Sequence, residues 1–171
     1  MVIGDSCVRF RLGRQGFGLP LDQVREIVTA GSITPVPLAP SVIRGLANVR
    51  GRVVTLIDVA TVFQRELPPA RDAVERLALI LAPPWGHLGV YVHSPVEIGQ
   101  AIAEESTLSV SAAAGKAHAA EAGAEMEASG RLGGPAVALA TVSGEFVHMV
   151  SARELVAFCE ARVLEGFRRR N

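Results

Sequence analysis

The sequence has few of the residues that build metal sites and disulfides. Its 171 residues include only two cysteines and four histidines. Cys7 and Cys159 stand near opposite ends of the chain without a CxxC pair, so we expect both thiols to be reduced. The histidines are dispersed: His87, His93, His118 and His148. None of them has metal-ligand spacing to another His, Cys or Asp, and the sequence therefore predicts no metal site and no cofactor.

Net charge and aromatic platforms are also lacking. Lys and Arg together number 17, Asp and Glu together number 17, and the formal net charge is zero. The aromatic residues are six Phe, one Trp and one Tyr. A small barrel that binds single-stranded nucleic acid needs a basic groove and stacking aromatic side chains. We therefore predict no nucleic-acid partner and keep a nucleic-acid-binding barrel only as the alternative from another functional class.

Long hydrophobic runs are absent. The longest, "LALILAPPW", is far shorter than the ~20 residues that a membrane-spanning helix needs, and two prolines end it. The first residues, "MVIGDSCVRF", lack the pattern of a signal peptide. The sequence thus predicts a cytoplasmic protein without direct membrane insertion. Because 49% of its residues are hydrophobic, we expect a thoroughly buried β core, an apolar docking surface, or both.

Motifs for catalysis are missing as well. "GRQGFG" precedes a strand and not a helix, so it is no phosphate-binding loop, and no serine lies in a GxSxG elbow. Asp58 ends a strand and could act as a general base, but such a carboxylate more often caps the turn or helix that follows, here "ATVF". We therefore predict that the protein is not an enzyme. A hydrolase would need a reactive centre that the sequence does not show.

What the chain does contain is a series of strand patterns. Residues 7–20 predict a hairpin, and "VREIV" predicts a strand with Val24, Glu26 and Val28 on one face, which places a carboxylate in an apolar row. The prolines of "TPVPLAP" predict a connector or an edge segment. "RVVTLIDV" is apolar on both faces and predicts a buried strand. With about nine strands in all, the sequence predicts an all-β barrel or sandwich.

Two later segments break the strand pattern. Residues 109–134 are rich in Ala and Gly and predict a mobile loop. Residues 151–168 predict a C-terminal helix, since Ser151 and Glu154 have the spacing of a capping box. The buried stripe expected on this helix consists of Leu155, Phe158, Cys159, Val163 and Phe167.

The turn between two apolar strands, Asn48 to Gly51, supports two interpretations. In the first, Asn48 tolerates a left-handed conformation, Gly51 has a positive φ, and Arg50 simply projects into water. In the second, Arg50 is an arginine held rigidly and ready to grip a carboxylate or backbone carbonyls of a partner. The residues of the turn alone leave both interpretations open.

The segment that contains this turn, "ITPVPLAPSVIRGLANVRGRVVTLIDV", resembles the signature of the CheW-like family of chemotaxis coupling proteins. That signature has an apolar residue, a proline-spaced segment, a Gly, then Asn, any residue, Arg and Gly, and an apolar strand that ends in Asp. This sequence supplies Ile33, Pro37, Pro40, Gly45, Asn48, Arg50, Gly51, Val53, Val54 and Asp58. The resemblance extends over nearly the whole chain apart from residues 109–134.

The resemblance implies a single CheW-like domain over residues 1–171. Its fold would be all-β: two small five-stranded SH3-like β-barrels packed around a shared hydrophobic core, with a C-terminal α-helix. The second barrel would cover roughly residues 76–150. Family members are not enzymes but cytoplasmic adaptors, which couple the tips of chemoreceptors (methyl-accepting chemotaxis proteins) to a CheA-type histidine kinase in membrane-associated arrays.

The resemblance also implies which residues would bind partners. The partners would be the chemoreceptor cytoplasmic tip, the regulatory domain of the kinase and, as a further option, other CheW-like proteins. The residues near the receptor would be Val24, Glu26, Asn48, Arg50 and Val54, and those that shape the turn would be Gly45, Gly51 and Asp58.

Two positions depart from the family pattern. His93 and Ser151 stand where the family often has Asp. They leave open the alternative of a divergent CheW-like protein of a specialised chemosensory pathway, which binds receptor or paralogues but not kinase.

Overall fold

The computed structural model describes residues 5–13, 15–64, 76–92, 96–103 and 138–168. The strands in these ranges are β1 (Asp5–Leu12), β2 (Gln15–Pro20), β3 (Val24–Thr29), β4 (Ile33–Thr34), β5 (Ile43–Val49), β6 (Arg52–Asp58), β7 (Leu77–Leu81), β8 (Leu88–Val92), β9 (Glu97–Ala103), β10 (Ala138–Val142) and β11 (Glu145–Met149). The helices are a 3₁₀ turn (Leu21–Gln23), α1 (Val59–Val62) and α2 (Ala152–Arg168). The loop predicted over residues 109–134, and His93, lie outside the described residues.

Five strands close into a small barrel in the order β1-β2-β11-β10-β9. The predicted hairpin of residues 7–20 is present as the antiparallel pair β1–β2, whereas β2 and β11 pair in parallel. Small and medium apolar side chains fill a separate cluster among these strands: Cys7, Ala101, Ala140, Val142, Val147 and Met149. Arg9 contacts both Glu97 and Glu145 at 3.0 Å, so charge pairing joins strands β1, β9 and β11.

The remaining strands form a six-stranded sheet in the order β3-β7-β8-β6-β5-β4. The all-β class and the C-terminal helix predicted from the sequence are confirmed. However, the described strands of residues 76–150 do not form a second barrel of their own, as the resemblance implied. Strands β7 and β8 belong to the six-stranded sheet, while β9, β10 and β11 close the first barrel. Parallel pairing of β6 with β8 joins strands far apart in sequence, and such pairs cannot be found from hairpin signals.

The main hydrophobic core includes side chains from both sheets and from α2. Its largest fully buried members include Phe10, Phe17, Leu19, Phe63, Leu79, Leu81 and Leu155. The ring of Phe17 lies 6.1 Å from that of Phe10 and 4.6 Å from that of Phe63, measured between centroids. Burying one such side chain contributes about 1.5–3 kcal/mol, so this core holds the strands that carry the exposed residues in fixed positions.

Helix α2 begins at Ala152, directly after the predicted capping residue Ser151. The Ser151 hydroxyl accepts a hydrogen bond from the Glu154 amide (3.2 Å) and donates one to the Glu154 carboxylate (3.0 Å). This cap differs in one detail from the capping box that was predicted. The Glu154 carboxylate accepts from the hydroxyl of Ser151 and not from its backbone amide. A distant residue, Gln23, completes the cap by accepting from the amide of Ala152 at 2.7 Å.

The buried stripe of α2 agrees with the predicted one at Leu155 and Cys159, and Val163 is half-buried, whereas the side chain of Phe167 lies outside the described residues. Leu155, Val156 and Cys159 are buried, while Phe158 is partly buried against the core. Burial raises the pKa of the Cys159 thiol to about 12. Cys159 is therefore a packing residue that stays protonated at neutral pH.

Candidate functional site

A two-residue turn joins β5 to β6. Val49 and Arg52 form the last strand pair, which leaves Arg50 and Gly51 as the loop. Both have positive φ, 51° for Arg50 and 81° for Gly51, as in the hairpin turns that match the twist of the strands. Glycine adopts such a φ freely, whereas a side-chain-bearing residue loses roughly 1 kcal/mol there. The positive φ at Gly51 is as the first interpretation expected, but the second left-handed residue of the turn is Arg50 and not Asn48.

Asn48 has a different role, which is to hold the turn in shape. Its Oδ1 accepts a hydrogen bond from the Gly51 amide at 2.8 Å. This bond satisfies an amide that the two-residue loop leaves without a strand partner. Asn48 itself is exposed, and it pairs across the hairpin with Val53.

The side chain of Arg50 is 79% exposed. Its Nε lies 3.4 Å from Oε2 of Glu26, whose own side chain is 19% exposed. In the described part of the chain, Glu26 is the acid that Arg50 contacts. An ion pair with such an exposed partner contributes about 0–1 kcal/mol, so Arg50 is offered to solvent and is not sealed inside the fold.

Glu26 lies on the predicted face of β3. Val24, Glu26 and Val28 are half-buried, while the residues between them are exposed. The pairing of β3 with β7 shifts between Val24 and Glu26, which makes Arg25 the extra residue of a β-bulge. The Nε of Arg25 lies 3.9 Å from Oε1 of Glu26, and the carboxylate is therefore placed between two arginines.

Val54 does not lie on the surface. Only 2% of it is exposed, and it packs in a core cluster with Leu56, Ile80 and Tyr91. The preceding residue, Val53, is 67% exposed on the opposite face of β6. The prediction that Val54 contacts a partner is therefore wrong. A strand that is apolar on both faces gives no sequence signal for which valine points outward, and Val53 was missed for this reason.

Gly45 is not part of the turn, although the sequence grouped it there. It lies within β5 at a second bulge, where the pairing with β6 shifts between Ile43 and Gly45. Its φ is 149°, and a Cβ at this position would stand 2.5 Å from the carbonyl oxygen of Thr34. Only glycine fits there, because the edge strand β4 passes directly over it.

Asp58 caps helix α1, as expected for a carboxylate that ends a strand. Its Oδ1 accepts from the Thr61 amide at 3.2 Å, and its Oδ2 lies 3.7 Å from Nη1 of Arg44. The side chain is nearly completely buried. With one oxygen capping the helix and the other next to an arginine, Asp58 supports the fold and does not face a substrate.

This end of the six-stranded sheet brings together the exposed residues Asn48, Arg50 and Val53 and the half-buried Glu26, which we call the turn surface. Val24 borders it as a half-buried residue. Within the described ranges, no three His, Cys, Asp or Glu side chains lie close enough to hold a metal ion. The helices described there include none both long and apolar enough to cross a bilayer.

Comparison with known proteins relates these features to one family. Residues 6–122 match the CheW-like domain. Protein PilI of Pseudomonas aeruginosa is 31% identical over 86 residues, which cover 50% of this chain and 45% of PilI. Protein FrzA of Myxococcus xanthus is 40% identical over 50 residues, 29% of this chain and 31% of FrzA.

Chemotaxis protein CheW of Treponema pallidum is 33% identical over 62 residues, 34% of this chain and 36% of that protein. The chain thus spans less than half the length of these three relatives. Among solved structures, the scaffolding protein TtCheW of Thermoanaerobacter tengcongensis superposes with a TM-score of 0.58 at 19% identity, over 86% of this chain and 88% of that one. This likeness shows that the two chains share a fold.

Proposed function

The chain belongs to the CheW-like domain family, and on that premise we propose that it is an adaptor that couples the cytoplasmic tip of a chemoreceptor to a CheA-type histidine kinase. The family consists of non-catalytic scaffold proteins. The single observation that carries the proposal is the exposed Arg50, fixed on a rigid turn within the family's characteristic segment. We propose that the protein acts at the cytoplasmic side of receptor arrays.

The turn surface has the properties of a docking site for the receptor. The two-residue loop and the Asn48 hydrogen bond hold the backbone of Arg50 in place, so binding would order little more than one side chain. A guanidinium binds a carboxylate or backbone carbonyls through two parallel hydrogen bonds. The exposed Val53 adds apolar area next to it. Arginine anchors of this kind carry much of the binding free energy in protein interfaces.

An adaptor needs a second surface, and the barrel offers one. Ile98 and Ile102 of β9 and Phe146 of β11 are all exposed. Ile102 and Phe146 are both paired in register with Thr141 of β10, so their side chains form a row across three strands. We propose that the regulatory domain of the kinase docks on this apolar row. The row and the turn surface lie on different sheets, which would let both partners bind at once.

A bridging experiment tests the adaptor proposal. The purified protein is mixed with a receptor-tip fragment and a kinase regulatory domain from the same genome, and complexes are separated by size-exclusion chromatography. We expect the two partners to co-elute only when the protein is present. Arg50→Ala should remove the receptor fragment from the complex, and Phe146→Ser should remove the kinase domain.

Three outcomes are informative. Bridging that depends on both residues supports the adaptor. Binding of the receptor fragment without the kinase domain would favour the specialised-pathway alternative. If neither fragment binds, the proposed function is wrong.

A further inference from the structure

A cleft of about 310 Å³ continues the turn surface beyond Val53. Its walls come from the β3 bulge, the start of β6 and the loop between β7 and β8. The lining side chains are Arg25, Arg52, Val53 and His87, together with the two prolines of the β7–β8 loop. Two arginines, a histidine and an exposed valine therefore face one concave space.

The charge around this cleft is strongly one-sided. Arg25 and Arg52 line it, and Arg50 lies two residues before Arg52, in the turn of the same hairpin. The carboxylate of Glu26 is shared by Arg25 and Arg50, and within the described residues Arg52 makes no ion pair. Three arginines against one carboxylate leave a local excess of positive charge, although the whole chain has a formal net charge of zero.

The cleft is formed before any ligand arrives. The bulge redirects the side chain of Arg25, whose Nη1 lies 3.9 Å from the position that a Cβ on Gly86 would occupy. The β7–β8 loop is tied down by backbone hydrogen bonds, including one from the Trp85 amide to the carbonyl of Ala82 at 3.0 Å. On its other side, the amide of Thr55 donates to the carbonyl of His87 at 2.9 Å. Such walls need little rearrangement on binding.

We propose that this cleft binds acidic side chains of the receptor segment that docks on Arg50, with Arg25 and Arg52 contacting the carboxylates and Val53 packing against an adjacent apolar residue. The inference rests on the proposed function and specifies the chemistry of the partner. A positive cleft beside an apolar side chain is complementary to an acidic segment with an apolar neighbour. Nucleic acid fits less well, because no Phe, Tyr or Trp side chain lines the cleft for stacking on a base.

The test measures affinity for a receptor-tip fragment from the same genome by fluorescence polarisation at low and high salt. Arg25→Gln and Arg52→Gln should each weaken binding by roughly threefold to fivefold, and the double variant by about tenfold, at low salt. The double variant should also show a flatter dependence on salt, because screened charge pairs have been removed. Arg153→Gln, which removes an exposed arginine from α2, serves as the matched control and should change neither quantity.

A receptor fragment without acidic side chains distinguishes a failure of this inference from a failure of the proposed function. A receptor fragment with its Asp and Glu changed to Asn and Gln should bind the wild-type protein and the double variant equally. If Arg50→Ser abolishes binding while the double variant keeps both the affinity and the salt dependence of the wild type, the inference is wrong and the proposed function stands. If the wild type does not bind the fragment, both fail. Displacement of the fragment by oligo(dT) would overturn the inference in favour of nucleic acid.

Discussion

Two hairpin turns of this chain have the same backbone geometry but present different side chains to solvent. The β5–β6 turn uses Arg50 and Gly51, with φ of 51° and 81°. The β10–β11 turn uses Ser143 and Gly144, with φ of 52° and 82°. A Cβ on either glycine would meet no heavy atom within 4 Å. Because the barrel makes the same turn with serine, the backbone does not require an arginine.

Comparing the two turns distinguishes what Arg50 contributes to folding from what it could contribute to binding. Arginine and serine both bear a Cβ and are both disfavoured at positive φ, so Arg50 gives the turn no conformational advantage. Its contribution to stability is limited to an exposed ion pair with Glu26, worth about 0–1 kcal/mol. The fold therefore does not need an arginine at this position, which leaves Arg50 available for the contact proposed above.

The largest expected loss of stability follows substitution of Gly45, which lies outside both turns. If positive φ alone determined the cost of substitution, Gly45→Ala would resemble Gly51→Ala. A Cβ at Gly45 would instead lie 2.5 Å from a backbone oxygen of β4. We expect Gly45→Ala to lower the free energy of unfolding by about 3 kcal/mol or more, as overpacking adds to backbone strain. Urea denaturation measures it, and a loss below 1 kcal/mol would show that β4 moves aside.

The two turn glycines should respond alike. We expect Gly51→Ala and Gly144→Ala each to cost about 1 kcal/mol, because an added Cβ is disfavoured by positive φ but meets no neighbour. The difference between the two values, obtained by chemical denaturation, should stay below roughly 0.5 kcal/mol. Unequal losses would mean that the two turns are not energetically equivalent, and would weaken the use of one as a control for the other.

The smallest expected change in stability measures the ion pair between Arg50 and Glu26. Asparagine tolerates the left-handed conformation, so Ser143→Asn should stabilise the protein by about 0.5 kcal/mol. Arg50→Asn gains the same relief but loses the contact with Glu26. The gap between the two changes should therefore be about 0.2–1 kcal/mol, the value of an exposed pair. A gap above 2 kcal/mol in thermal denaturation would identify Arg50 as a structural residue.

Local sequence patterns predicted the elements whose determinants are neighbours in sequence. The first hairpin, the turn at Gly51, the cap at Asp58 and the start of α2 at Ser151 all depend on residues within a few positions of one another. Such signals act before tertiary structure forms, which is why one sequence is enough to identify them.

Features that depend on the pairing of strands far apart in sequence could not be predicted from the sequence alone. The bulges at Arg25 and Gly45 exist only in the register with β7 and β6, and the exposure of Val53 in place of Val54 depends on that same register. Shifting a strand by one residue exchanges its two faces. The cleft between Arg25 and Arg52 therefore became visible only when the β7–β8 loop was placed beside them.

The central claim is that Arg50 serves partner binding and is not needed for folding. The most direct test replaces the residue of one turn by that of the other. Arg50→Ser gives the β5–β6 turn the residue types of the β10–β11 turn, and its affinity for the receptor-tip fragment is measured alongside its melting temperature, with Ser143→Arg as the control. We predict at least tenfold weaker binding with a melting temperature within about 4 °C of wild type, and a control that binds normally. Unchanged binding, or a large fall in melting temperature, would contradict the account.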